Sequence, residues 1–181
     1  MAETKIMDTK GIARSINRIT HEILEHNSGA KDMVIVGIRT RGAYIAERLA
    51  KAIKRIEKTE LPVGAVDITM YRDDVTIRLE QPIIQKTNLP FSIDDKIVIL
   101  VDDVLYTGRT VRAALNELMD YGRSRCIQLA VLVDRGHREL PIRADYVAIQ
   151  LQTFRGENVI VKLKEYDKED AVILQQNNGG E

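Results

Sequence analysis

A single cysteine, Cys126, occurs among 181 residues, which excludes an internal disulfide framework and any cysteine-built zinc cluster. It stands at the start of an apolar run and is expected in the core. Charge of one sign is also missing. Lys plus Arg and Asp plus Glu both total 27, so the bulk composition offers no general attraction to nucleic acid or anionic membranes. Any polyanion site has to be a local patch. No run of about 18 apolar residues occurs, and the opening MAETKIMDTKGIARS has no apolar stretch of the secretory kind, so the chain is expected in the cytoplasm. Internal repeats and low-complexity linkers are absent as well, and the length suits one domain able to bury a substantial core.

What is present alternates between two periods. Ile12, Ile16, Ile19 and Ile23 recur at helical spacing over residues 11 to 26, with Arg14, Asn17, Arg18 and His21 on the opposite face. MVIVGI (33 to 38) reads as a buried strand, followed by an RTRG turn and a helix carrying Ile45, Leu49, Ala52, Ile53 and Ile56 inward. VGAVDITMY (63 to 71) reads as another strand, and the polar stretch after it, interrupted by Pro82 and Pro90, as a long loop or a short hairpin, long loops in compact domains often being functional. KIVILV (96 to 101) predicts a buried strand, with Val111, Leu115, Leu118 and Met119 as the inner face of the next helix. CIQLAVLVD (126 to 134), ADYVAIQL (144 to 151) and NVIVKLKEY (158 to 166) supply further strands before a tail expected to fray from about residue 175. Strands alternating with helices predict an α/β fold with an open, mostly parallel sheet.

The stretch VILVDDVLYTGRT (98 to 110) carries the chemistry. In open α/β sheets, ligands collect at the carboxyl ends of the strands, where loops meet helix N-termini. Thr107, Gly108, Arg109 and Thr110 fall where the following helix begins, so hydroxyls and free backbone N–H groups can hold a phosphate. A phosphate site repels carboxylates, so Asp102 and Asp103 beside it point to sugar hydroxyls, a bound cation, or positive charge developing during a reaction. A ribose 5-phosphate satisfies all three. GIRTRG (37 to 42) ends another strand, and its arginines suit a diphosphate.

This pattern resembles the signature of the type I phosphoribosyltransferases, which use 5-phosphoribosyl 1-diphosphate (PRPP). The resemblance implies an open sheet flanked by helices with a small hood formed mainly by residues 134 to 165. It implies that Asp102 and Asp103 meet the ribose hydroxyls, and that Val104, Leu105, Tyr106, Thr107, Gly108, Arg109 and Thr110 form the loop holding the 5-phosphate. Thr40, Arg41 and Gly42 become the pyrophosphate loop, and YRDD opens a lid over residues 72 to 90 in which Arg72 neutralises the departing diphosphate. Mg²⁺ is implied as a cofactor arriving with PRPP, with no protein ligand assigned to it.

VLVDRGHRELPIRADYV (131 to 147), with DITMYRDD and the acidic motif, resembles more narrowly the PyrR-type proteins, over roughly residues 10 to 165. These pair uracil phosphoribosyltransferase activity with attenuation of pyrimidine operons through RNA. The resemblance implies uracil as acceptor, UMP as product, Asp134, Arg135 and Val159 around the base, and a dimer or larger homo-oligomer. It places contacts to operon leader mRNA on Arg14, Asn17, Arg18 and His21, and near Arg138 and Arg143; neither DNA nor a membrane is an expected partner. His137 reads as a loop residue rather than a general base. After ADYV the family usually runs Gly-Lys-Asn-Ile-Pro-Thr, whereas this chain has AIQLQTF, which removes a lysine and a proline beside the hood. Two other readings stay open on the residues alone: a purine phosphoribosyltransferase, and an RNA-binding regulator with vestigial catalysis.

Overall fold

The computed structural model describes residues 2–68, 87–154 and 156–176. Arg72 and residues 72–86 of the expected lid lie outside them. Five parallel strands form the main sheet in the order β3 (Val63–Val66), β2 (Met33–Ile38), β4 (Ile97–Leu105), β5 (Cys126–Asp134) and β6 (Tyr146–Gln150). Helix α1 (Thr9–His26) precedes β2, while α2 (Arg41–Glu57) connects β2 to β3 and α3 (Arg109–Asp120) connects β4 to β5. The expected open α/β sheet flanked by helices is therefore present. No helix among the described residues is long and apolar enough to cross a membrane.

The unbroken apolar runs of β2 and β4 follow from burial on both faces. Ile99 and Val101 pack with Ile12, Ile16, Ile45 and Leu49 under α1 and α2. Val98 and Leu100, pointing the other way, pack with Val111 and Leu118 under α3. The Asp8 carboxylate caps α1 by accepting the Gly11 N–H at 2.7 Å. Each fully buried isoleucine of α1 contributes about 2 kcal/mol of apolar transfer, which fixes the inner face and leaves Arg14, Asn17, Arg18 and His21 outside.

A second sheet is antiparallel, in the order β1 (Ala2–Met7), β8 (Ala171–Gln176), β7 (Glu157–Lys162). It joins the two ends of the described chain: Ala2 pairs with Gln176 and Glu3 with Gln175. Gln175 and Gln176, expected to fray, are thus strand residues. The turn of helix α4 (Lys164–Asp167) lies between β7 and β8.

Four further expectations need correction. Strand β4 runs on to Leu105, so the acidic pair lies inside the strand rather than after it; pairing of Asp102 with Val131 and Leu105 with Asp134 sustains the ladder. β3 ends at Val66 instead of continuing through Ile68. Cys126 is exposed, because it opens β5 at the rim of the sheet. Ile56 and Met119 are 41% and 63% exposed, each in the last turn of its helix.

Candidate active site at the strand ends

The site is built by two close approaches of backbone. A Cβ on Gly42 would stand 2.4 Å from the Val101 carbonyl oxygen and 3.2 Å from the Asp102 Cα, so only glycine lets the first turn of α2 rest on β4 beside the acidic pair. A Cβ on Gly37 would meet the Ala43 Cα at 2.4 Å, which holds the end of β2 against the same turn. Thr40, Arg41 and Gly42, far from Asp102 in sequence, are thereby brought next to it.

Asp102 is 5% exposed and Asp103 is half-buried. Asp102 Oδ1 accepts the Asp103 N–H and Asp103 Oδ1 accepts the Val104 N–H, both at 2.9 Å, so both carboxylates are fixed by backbone at the strand end. Three positions after Leu105, the last residue of β4, the chain turns into α3. Gly108 is the N-cap residue with φ +93° and offers no capping side chain, and the first turn carries no acid. The amide groups of that turn thus suit an anion. The Thr107 hydroxyl accepts the Arg109 N–H at 3.3 Å, while the Arg109 guanidinium pairs with Glu139 at 2.7 Å.

The loop from Asp134 to Ile142 braces this turn from outside. Arg135 N–H donates to the Leu105 carbonyl at 3.1 Å, and Glu139 and Leu140 N–H groups donate to the Thr107 carbonyl at 3.0 and 3.2 Å. Arg138 is a pin: its guanidinium donates to the Tyr106 carbonyl at 2.8 Å, the Ile142 carbonyl at 2.9 Å and the Asp134 carboxylate at 2.6 Å. Asp134 also accepts the Gly136 N–H. Arg135 is buried, lies 4.2 Å over the Tyr106 ring and donates to the Glu157 carbonyl at 2.6 Å, which ties the end of β5 to the small sheet carrying Val159. His137 has φ +58° and its Nε2–H donates to the Thr153 carbonyl at 2.6 Å, a loop role.

Two residues expected to face ligands are thus engaged by the protein itself: the Arg135 guanidinium toward the base, and the Arg138 guanidinium toward RNA. Arg143 is exposed in the loop before β6. On α1, Arg18 Nη2 donates to the carbonyls of Val147 and Ala148 at 3.0 and 2.7 Å, pinning the helix to the edge strand β6, and Asn17 accepts from Arg55 at 3.3 Å. Arg14, Arg18 and Lys5 share the wall of a cleft of about 570 Å³, which Ala148 of the departing AIQLQTF segment also lines.

Sequence reasoning missed the acids that hold α2. Asp167 takes Arg41 in a bidentate pair, Nε at 3.0 Å and Nη2 at 2.7 Å, with the guanidinium 5.2 Å from the Tyr166 ring centre. This pair raises the Arg41 pKa and lowers that of Asp167. Arg48 pairs likewise with Glu165 and Asp170. The only trace of this in sequence is the acid-rich EYDKED, more than a hundred residues from its partners.

Residues 3–166 match the family model described as phosphoribosyl transferase domain. The Bifunctional protein PyrR of Pelotomaculum thermopropionicum is 57% identical over 172 residues, covering 95% of each chain. That of Enterococcus faecalis is 52% identical over 178 residues, covering 98% of this chain and 99% of the other. The chain belongs to the PyrR family of phosphoribosyltransferases. Among solved structures, the hypoxanthine phosphoribosyltransferase of Trypanosoma cruzi superposes with a TM-score of 0.73 at 16% identity over 97% of each chain, a likeness of fold.

Proposed function

We propose that the chain transfers the phosphoribosyl group of PRPP to uracil, giving UMP and diphosphate, and that it binds pyrimidine operon leader mRNA in a uridine-nucleotide-dependent way to attenuate transcription. The observation that carries the catalytic half is the seating of Gly42 on the Val101 carbonyl, which sets a diphosphate loop beside the acidic strand end. Uracil and RNA rest on the PyrR resemblance, supported by 52–57% identity to proteins named bifunctional across nearly the whole chain.

In this reading, the Asp102 and Asp103 carboxylates receive the ribose hydroxyls, and the first-turn amides of α3 with the Thr107 and Thr110 hydroxyls receive the 5-phosphate. Thr40 and Arg41 receive the diphosphate. As the glycosidic bond breaks, positive charge grows on the ribose facing the two carboxylates and negative charge grows on the leaving group facing Arg41, so both ends of the site favour the transition state. The hard oxygens of the acidic pair and of the diphosphate fit Mg²⁺, which in this reading would arrive with PRPP. When bound, Mg²⁺ would supply charge neutralisation of the leaving group. The small sheet and the 134–142 loop close around the base, and Arg135 and Arg138 act by shaping that loop.

RNA binding is tested by titrating leader RNA with and without UMP at several salt concentrations. UMP is expected to tighten binding. Arg14→Ala should flatten the salt dependence by about one unit of slope, as for one lost phosphate contact, with transfer to uracil unchanged. Arg14 is the residue of choice, since Arg18 also holds β6. Absence of RNA binding under every nucleotide condition removes the regulatory half and leaves the enzyme.

A further inference from the structure

We infer that Asp167 is a positioning residue for PRPP: it orients Arg41 from the β7–β8 connection and so sets the affinity of the diphosphate loop. The inference deepens the reading of residues 40–42 as that loop and rests on it. Arg41 begins α2, at the turn seated on β4, and its guanidinium is a planar fork whose two edges serve different partners. Asp167 takes the Nε–Nη2 edge through both carboxylate oxygens, which leaves the edge bearing Nη1 for an anion. The carboxylate is itself immobile, since Oδ2 also accepts the Leu163 N–H at 2.8 Å and Leu163 is fully buried. Tyr166 lies against the guanidinium at 5.2 Å. Arg41 is thus held on one edge and one face before any ligand arrives, and it still feels the charge of Asp103 from the acidic pair.

A rigid clamp of this kind lowers the ordering cost of binding, because a free arginine loses its rotamer freedom when it grips a phosphate. Arg48 provides the internal control. It ties the same connection to the same helix through Glu165 and Asp170, about two helical turns further on and away from the loop. A contact that merely fastens the small sheet would act alike at both arginines, whereas a positioning contact acts only at Arg41.

The experiment measures KM for PRPP and for uracil, with titration of inorganic diphosphate plus Mg²⁺, in Asp167→Asn, Arg41→Lys, their double variant and Arg48→Gln. Asparagine keeps the acceptor for Leu163 and loses the bidentate charge. We expect Asp167→Asn to raise the PRPP KM and the diphosphate dissociation constant about tenfold, the scale on which loss of an orienting outer partner acts at metal sites, with the uracil KM unchanged. Arg41→Lys should do at least as much, and the double variant should add little to it, since both act through one guanidinium. Arg48→Gln should leave PRPP affinity unchanged.

An unchanged or lowered PRPP KM in Asp167→Asn overturns the inference, the lowered value meaning that the carboxylate competes with substrate. A rise in uracil KM shared with Arg48→Gln overturns it in favour of a simple fastening. If Arg41→Lys itself leaves diphosphate affinity unchanged, the loop reading falls and the inference with it, an outcome distinct from failure at Asp167 alone.

Discussion

Replacing Asp102 and Asp103 together by asparagine is expected to reduce phosphoribosyl transfer by about a thousandfold or more, on the scale of removing preorganised electrostatic groups from an active site, while the protein stays folded. Each carboxylate uses one oxygen to accept a neighbouring backbone N–H, and an asparagine carbonyl can accept the same bond. What the variant loses is negative charge facing the ribose as it becomes cationic. Relief of repulsion between adjacent carboxylates, one of them buried, keeps stability level or raises it slightly. Diphosphate release and thermal melting measured on the same preparation check both halves. A double variant that is unfolded, or one that keeps near-normal turnover, makes the pair structural.

Gly42→Ala is expected to lower transfer about a hundredfold and to destabilise the fold by about 1–3 kcal/mol, the usual range for overpacking. The added methyl would stand 2.4 Å from the Val101 carbonyl oxygen, and its neighbours are backbone of the central strand that cannot swing aside. The first turn of α2 has to lift, carrying Thr40 and Arg41 away from the acidic pair. Loss should therefore appear in PRPP affinity as well as turnover, with a lowered melting temperature. An alanine variant with normal melting and normal PRPP affinity means that this contact does not set the loop.

How much of this was legible in the sequence follows from what each feature depends on. Helix α1 and strands β2 and β5 were readable because their burial repeats at short range: Ile12 to Ile23 every three or four residues, MVIVGI without interruption. The site motif was readable for the same reason, since strand, acids, glycine and helix start lie within 13 consecutive residues. The small sheet was not readable at β1 and at its middle strand β8. β1 is largely exposed and meets β8 from the opposite end of the described chain, so neither carries a local period. Extension of β4 through Asp102 depends on the β5 ladder rather than on β4's own composition.

The tertiary partners of Arg135 and Arg138 were hidden for a related reason. Arg135 and Arg138 stand in DRGHREL, where the PyrR resemblance implies a contact to the base and, near Arg138, to RNA. In the fold, some of their donors reach carbonyls of Tyr106, Ile142 and Glu157 that only the tertiary structure brings near. Asp167 could not be paired with Arg41 from sequence, for the same reason in reverse.

The central claim is that the strand-end site transfers ribose 5-phosphate to uracil, and a base panel tests it most directly. The full chain is incubated with PRPP and Mg²⁺ and, separately, with uracil, hypoxanthine, guanine and adenine, and the mononucleotide and diphosphate formed are measured. The account predicts UMP and an equal amount of diphosphate with uracil and no purine nucleotide; a purine mononucleotide as the favoured product, or no UMP at saturating uracil and PRPP, would contradict it.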